Sequence, residues 1–291
     1  MVRADVEDER RECGRETVTI VVRLRPITVF FMMWLRDHRL RRHGGLLLSA
    51  LLIVAAGAVW ALAARAARVE SWLLPSPADV AGAFGQPDTR ALILDNLAPT
   101  LEEALAGFVL CLAIGVALAV LMSASPILRD GLYPLLIATQ AVPVIAIAAV
   151  LVLAFGYGLT PKIVVVVLFS FFAVTVNVYD SLMAVDPALL DVQRTLGASS
   201  WQLLRVVRLP AALPGFFTGA KLAVTYCVSA AVYGEWVGAT GGLGYALIQA
   251  ANQFAQARVF ALVVVMAALS LTGFGLVALL ERLVLRWPRG R

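Results

Sequence analysis

Long apolar runs separated by short polar breaks dominate the chain. A helix that crosses the ~30 Å hydrocarbon layer needs about 20 mostly apolar residues. Its backbone N–H and C=O groups must also find partners within the segment, since lipid offers none. Read on that basis, the pattern places spans at about residues 46–64, 104–122, 132–155, 163–183, 213–232 and 259–280. The expected fold is therefore all-α and membrane-integral, with about six transmembrane helices.

The polar breaks orient these spans. Residues 1 to about 25 alternate acids and arginines without apolar periodicity, so residues 1–45 are expected to form a partly disordered cytoplasmic tail ahead of a transmembrane domain at 46–291. Met32 and Met33 are alternative initiators, and the run 27–35 is too short to span. No small-residue cleavage site follows a short apolar core, which argues against a secretory leader. Arg36, Arg39, Arg41 and Arg42 precede the first span, and Arg282, Arg286 and Arg289 follow the last, placing both termini inside. Inner segments then carry Arg129, Arg194, Arg205 and Arg208. Arg65, Arg68, Arg90 and Lys162 fall in outer loops, diluted by Glu70, Asp79, Asp88 and Asp95. Trp72 suits an interface, and LLPSPADV, Leu73 to Val80, reads as an outer loop in which Asp79 caps a helix.

Within the spans, Gly107, Cys111, Gly115 and Ala119 recur every four residues, a small-residue stripe where another helix can approach closely. Pro134 and Pro143 flank Gln140, so the third span should kink there, either to line a pathway or simply to bend. Asn177 and Asp180 lie towards the end of the fourth span. Lys221 and Glu235 sit on the fifth, about 21 Å apart along one helix, too far to pair. Lys221 is expected to snorkel to the inner interface. Glu235 either contacts a solute or fixes the glycine turn that follows, with the structural role favoured. Gln140, Asn177 and Glu235 are the candidates for pathway polarity.

Composition agrees with the pattern: 61% of the 291 residues are hydrophobic, 15% are charged, and the mean hydropathy is +0.87. The net charge of +5 sits in short arginine flanks, which indicates topology and not a nucleic-acid partner. Cys13, Cys111 and Cys227 are too scattered for a disulfide framework or a CxxC site. His38 and His43 offer no metal site. The run GATGGLG, Gly238 to Gly244, lacks the Lys-Ser/Thr pair of a phosphate loop. With no nucleophile elbow or paired carboxylates, the chain is expected to be non-enzymatic and to need no cofactor.

The most informative polar break is DPALLDVQRTLGASSWQLLRVVRLPAALPG, Asp186 to Gly215. Asp186 can cap a helix whose first residue is Pro187. That helix should run to about Leu196 and end at Gly197 in a left-handed conformation, with Ser199 or Ser200 capping a second short helix through Trp201, Leu204 and Val207. Leu189, Val192 and Leu196 share one face. The segment is either a docking element for a soluble partner or an interfacial helix that anchors the loop.

This segment resembles the EAA loop of ABC importer permeases, in which EAA is followed by three residues, Gly, nine residues, an aliphatic residue, one more, then Leu-Pro. Gly197, Val207, Leu209 and Pro210 match that register, with Ala198 directly after the glycine. Asp191, Val192 and Gln193 replace Glu-Ala-Ala, so only the acid is kept. The resemblance extends through LLPSPADV, NLAPTLEEALAGF and EWVGATGGLGY, and is nearest to the nitrate, sulfonate and taurine permeases and the thiamine-precursor (hydroxymethylpyrimidine) permeases. It implies a type I importer fold, usually a permease homodimer in membrane lipid. It also implies cytoplasmic ABC ATPase subunits gripping the loop at about 186–212, and a substrate-binding protein delivering solute. The segments Gln140 to Lys162 and Ala223 to Tyr245 are more similar to the thiamine-precursor branch, and a neutral solute suits Glu235 better than an anion. The alternatives are a nitrate, sulfonate or taurine permease and, from another class, a stand-alone facilitator or membrane enzyme.

Overall fold

The computed structural model describes the backbone of residues 40–66 and 74–285, and the side chains of 48–64 and 74–285. The tail, its arginine flank, both histidines, Cys13, Arg65, Arg68, Glu70, Trp72, Arg286 and Arg289 fall outside the described side chains. The chain divides into two compact units, 1–67 and 68–291. In the first, the described element is α1, Leu40–Ala66, whose apolar stretch runs Leu48–Ala64.

Among the described residues, every regular element of the second unit is a helix. In chain order it holds α2 (Pro77–Ala83), α3 (Pro87–Ala124), α4 (Pro126–Ala141), α5 (Val144–Phe155), α6 (Leu159–Met183) and α7 (Pro187–Thr195). There follow α8 (Ser200–Gln202), a π-helical turn at Leu203–Arg208, α9 (Leu209–Gly238), α10 (Leu243–Asn252) and α11 (Gln256–Val284). Four stretches among the described residues are long and apolar enough to cross a membrane: α3, α6, Ser200–Gly238 and α11. The α4–α5 pair makes a fifth if counted as one broken span.

α9 is the centre of this unit. It packs chiefly on α6, which packs in turn on α3, while α11 runs along α9. The stripe expected on the second span is the contact surface: Gly107, Cys111, Gly115 and Ala119 are all buried. A Cβ at Gly107 would meet Val166 Cγ1 at 2.3 Å, and one at Gly115 would meet Val174 Cβ at 2.7 Å. The absence of side chains there lets α3 and α6 approach closely, and dispersion at short range takes over where lipid offers no hydrophobic drive.

Several local expectations need correction. The third span is not one kinked helix. Val142 is extended, as the residue before a proline prefers to be, and α4 and α5 meet at 92° across the break. Asp79 does not cap α2. Ser76 does, with Asp79 three residues on reaching back to the Ser76 backbone in a capping box. The helix after Ser199 does not end. It widens into the π turn and continues as α9, which gives room for Pro210, whose ring would otherwise press on the Val206 carbonyl. The glycine turn leads into α10, which precedes the last long helix.

Candidate functional site

The 186–212 segment is built from ordinary capping chemistry. The Asp186 carboxylate accepts from the Ala188 N–H at 2.9 Å and Pro187 opens α7. At the far end Gly197 has φ +86°, its N–H donates to the Arg194 carbonyl, and the Ala198 N–H donates to the Gln193 carbonyl at 3.0 Å. This is a Schellman closure, which requires the left-handed residue. Ser199, not Ser200, caps the next turn and accepts from the Gln202 N–H.

That frame leaves an apolar face uncovered. Leu190 is buried and anchors α7, whereas Leu189, Val192 and Leu196 are 48%, 55% and 75% exposed, with Trp201 and Val206 exposed beside them. Asp191 points to solvent and pairs with Arg194 at 2.9 Å, a surface contact of small worth. Leu204, Val207, Leu209 and Pro210 are half-buried where the segment joins α9. Leu189, Val192, Leu196, Trp201 and Val206 thus form an exposed apolar face on a doubly capped helical hairpin.

The second polar centre lies where α3, α9 and α10 meet. Glu235 is 1% exposed; its carboxylate accepts from Thr100 Oγ1 at 2.6 Å and from the Gly244 N–H. Thr100 Oγ1 also accepts from the Leu243 N–H at 2.8 Å, and Asn96 Oδ1 accepts from the Gly242 N–H at 2.9 Å. A carboxylate and two side chains of α3 thus satisfy the free N–H groups that open α10. Gly242, at φ +110°, is held so close that a Cβ would fall 2.3 Å from Glu235 Cδ. Next to this clamp, Lys162 Nζ lies 2.6 Å from Glu103 Oε1, both residues buried.

Lys162 is therefore not one of the outer-loop cations. It is desolvated and neutralised inside the bundle, on the first turn of α6. Lys221 pairs with Glu281 in the last turn of α11 at 2.9 Å. The sequence carried a weak signal for both pairs, Glu103, Lys162 and Glu281 at the edges of apolar runs and Lys221 inside one, with nothing to match partners 59 and 60 residues apart.

The three pathway candidates are not brought together. Gln140 is exposed at the α4–α5 break, Asn177 donates to the Ala173 carbonyl at 2.8 Å within α6, and Glu235 is enclosed by the α10 clamp. Among the described residues no group of His, Cys, Asp and Glu is arranged to hold a metal ion.

Residues 111–286 match the family described as the binding-protein-dependent transport system inner membrane component. The chain belongs to this family. The permease is thus the non-catalytic, multi-pass inner-membrane subunit of an ABC importer, served by a separate ATPase and a binding protein. It is similar to the formylaminopyrimidine transport permease ThiX of Halalkalibacterium halodurans, 36% identical over 79% of this chain and 92% of that protein. The riboflavin transport permease RibX of Chloroflexus aurantiacus is 35% identical over 75% of this chain and 81% of its own. The putative aliphatic sulfonates permease SsuC of Bacillus subtilis is 31% identical over 85% and 89%. In fold the permease is similar to a crystal structure of an amino acid ABC transporter, with TM-score 0.53 and 18% identity over 67% of this chain and 94% of that one.

Proposed function

We propose that the permease moves a thiamine precursor such as hydroxymethylpyrimidine, working as a homodimer in membrane lipid with both termini in the cytoplasm. Residues 46–291 form the transmembrane domain and 1–45 the cytoplasmic tail. Cytoplasmic ATPases grip the 186–212 segment through Asp191, Leu196, Gly197, Ala198, Trp201, Leu204, Val207, Leu209 and Pro210. ATP binding closes the ATPases, the gripped segments move with them, and the spans rock between inward and outward openings. The continuous backbone from Ser200 to Gly238 supports this mechanism, because it ties the segment mechanically to the central helix.

The observation that carries the reading is the uncovered apolar face of Leu189, Val192 and Leu196 on a glycine-closed hairpin. The substrate reading is supported by the similarity to a formylaminopyrimidine permease, and the sulfonate branch is the competing one. The test is co-purification of the tagged chain with its ATPase from native membranes. Leu196→Asp and Gly197→Val should both lose the ATPase and abolish uptake of hydroxymethylpyrimidine. Retention of ATPase and wild-type uptake in both variants overturns the role of this segment.

A further inference from the structure

The break between α4 and α5 opens a cleft of about 900 Å³ against α6 and α9. This lies within the range of about 300–1,000 Å³ usual for small-molecule sites. Phe169, Tyr233 and Trp236 line one side, Pro143, Thr139 and Gln140 the other, and none of its lining residues carries a charge. The nearby cations are committed elsewhere, Lys162 to Glu103 and Lys221 to Glu281.

The aromatic wall continues beyond the cleft. Tyr226, Ser229, Tyr233 and Trp236 recur at three- and four-residue intervals, so they share one side of α9 over about 15 Å of helix. Tyr226 and Trp236 are 41% and 40% exposed and continue an open side of α9 that also carries Thr218, Leu222 and Ser229. Phe169 meets Tyr226 and Tyr233 with ring centroids 5.7 and 6.0 Å apart, and Tyr233 meets Trp236 at 5.7 Å. All three contacts are edge to face. They fix the orientation of the rings without stacking one on another, which leaves flat faces for a planar guest.

We infer that this cleft and aromatic stripe form the solute contact of the permease, and that the solute is a neutral planar heterocycle that slides between ring faces. The assignment rests on the reading above that the chain imports such a solute, and it supplies the residues that select it. The rings bind the faces of the heterocycle, while the Gln140 amide and Thr139 hydroxyl meet its hydrogen-bonding edge. An anion such as a sulfonate would enter an uncharged wall with no counter-charge and would forfeit its hydration. Successive rings along α9 offer several weak contacts, which suits a path a solute must also leave.

The test uses cells carrying the permease with its own ATPase and binding protein, and measures uptake of labelled hydroxymethylpyrimidine, riboflavin and taurine. Tyr233→Leu and Trp236→Leu keep apolar bulk but remove the ring face, so each should cut uptake of the transported heterocycle about tenfold or more. Tyr233→Phe and Trp236→Phe should retain it. The Leu variants should still co-purify with the ATPase and hydrolyse ATP when the binding protein is added. Undiminished heterocycle uptake in both Leu variants overturns the cleft assignment and leaves the thiamine-precursor reading standing. Loss of the complex in the Leu variants shows that the stripe seats a neighbouring subunit and also overturns it. Import of taurine alone, or of none of the three solutes, overturns both the solute class and the reading it rests on.

Discussion

Lys162 Nζ stands 2.6 Å from Glu103 Oε1, an ion pair between the first turn of α6 and the middle of α3 with both residues buried. Glu103 Oε2 is buried without a partner, so the lysine is the main compensation for that carboxylate. Removing one member of a buried pair leaves an uncompensated charge, at a cost of about 3–5 kcal/mol. Lys162→Met should therefore lower thermal stability sharply in nanodiscs. The double variant Glu103→Gln, Lys162→Met should recover most of the loss. An equal loss in both would mean the pair is not what stabilises this junction.

Glu235 holds the start of α10 through the Gly244 N–H and Thr100 Oγ1. Glu235→Ala exposes those donors without a replacement, costing about 1–3 kcal/mol for each group left unpaired. Hydrogen exchange should speed up in residues 242–252 more than elsewhere. Thr100→Val should produce a smaller change in the same segment, and protection unchanged in both variants would count against the clamp.

Gly107 faces Val166 so closely that a Cβ would lie 2.3 Å from Cγ1. Gly107→Ala should separate α3 from α6 and destabilise the bundle by about 1–3 kcal/mol, the usual cost of overpacking. Val166→Ala in the same chain should restore part of the loss, because it vacates the space the new methyl needs. Additive losses in the double variant would place the strain elsewhere.

Asp79 accepts from both the hydroxyl and the N–H of Ser76, and these bonds hold its carboxyl below the usual carboxylate range. A carboxyl lowered in the folded state stabilises it above the unfolded pKa of about 4 and loses that contribution as pH falls through the folded value. Protection of the α2 amides should thus be flat near neutrality and decline in acid. Asp79→Asn should remove that decline, measured by hydrogen exchange on residues 77–83. A pH profile identical to wild type would show that the capping box does not govern α2.

The spans were legible because lipid imposes a length and a composition on every crossing helix, and the 186–212 segment was legible because caps are local chemistry. Asp186, Pro187, Gly197 and Ser199 act within a few residues of themselves, and each sits where its type predicts. The small-residue stripe also survived the translation, since helical spacing alone puts Gly107 and Gly115 on one face. Helix boundaries were less legible: the helix that holds the second span, read at 104–122, begins at Pro87, because a helix extends past the apolar window wherever caps and packing allow.

By itself the sequence determined a helical membrane protein with one capped, apolar segment between two of its long helices, because periodicity, length and capping depend on neighbours in the chain. Tertiary structure decided the charge partners and the cleft. Glu103 meets Lys162, Lys221 meets Glu281, and the α4–α5 break faces Phe169 and Tyr233, through contacts between helices far apart in sequence. Such pairings depend on which helix faces pack together, and a linear pattern of apolar residues contains no information that orders helices around a bundle.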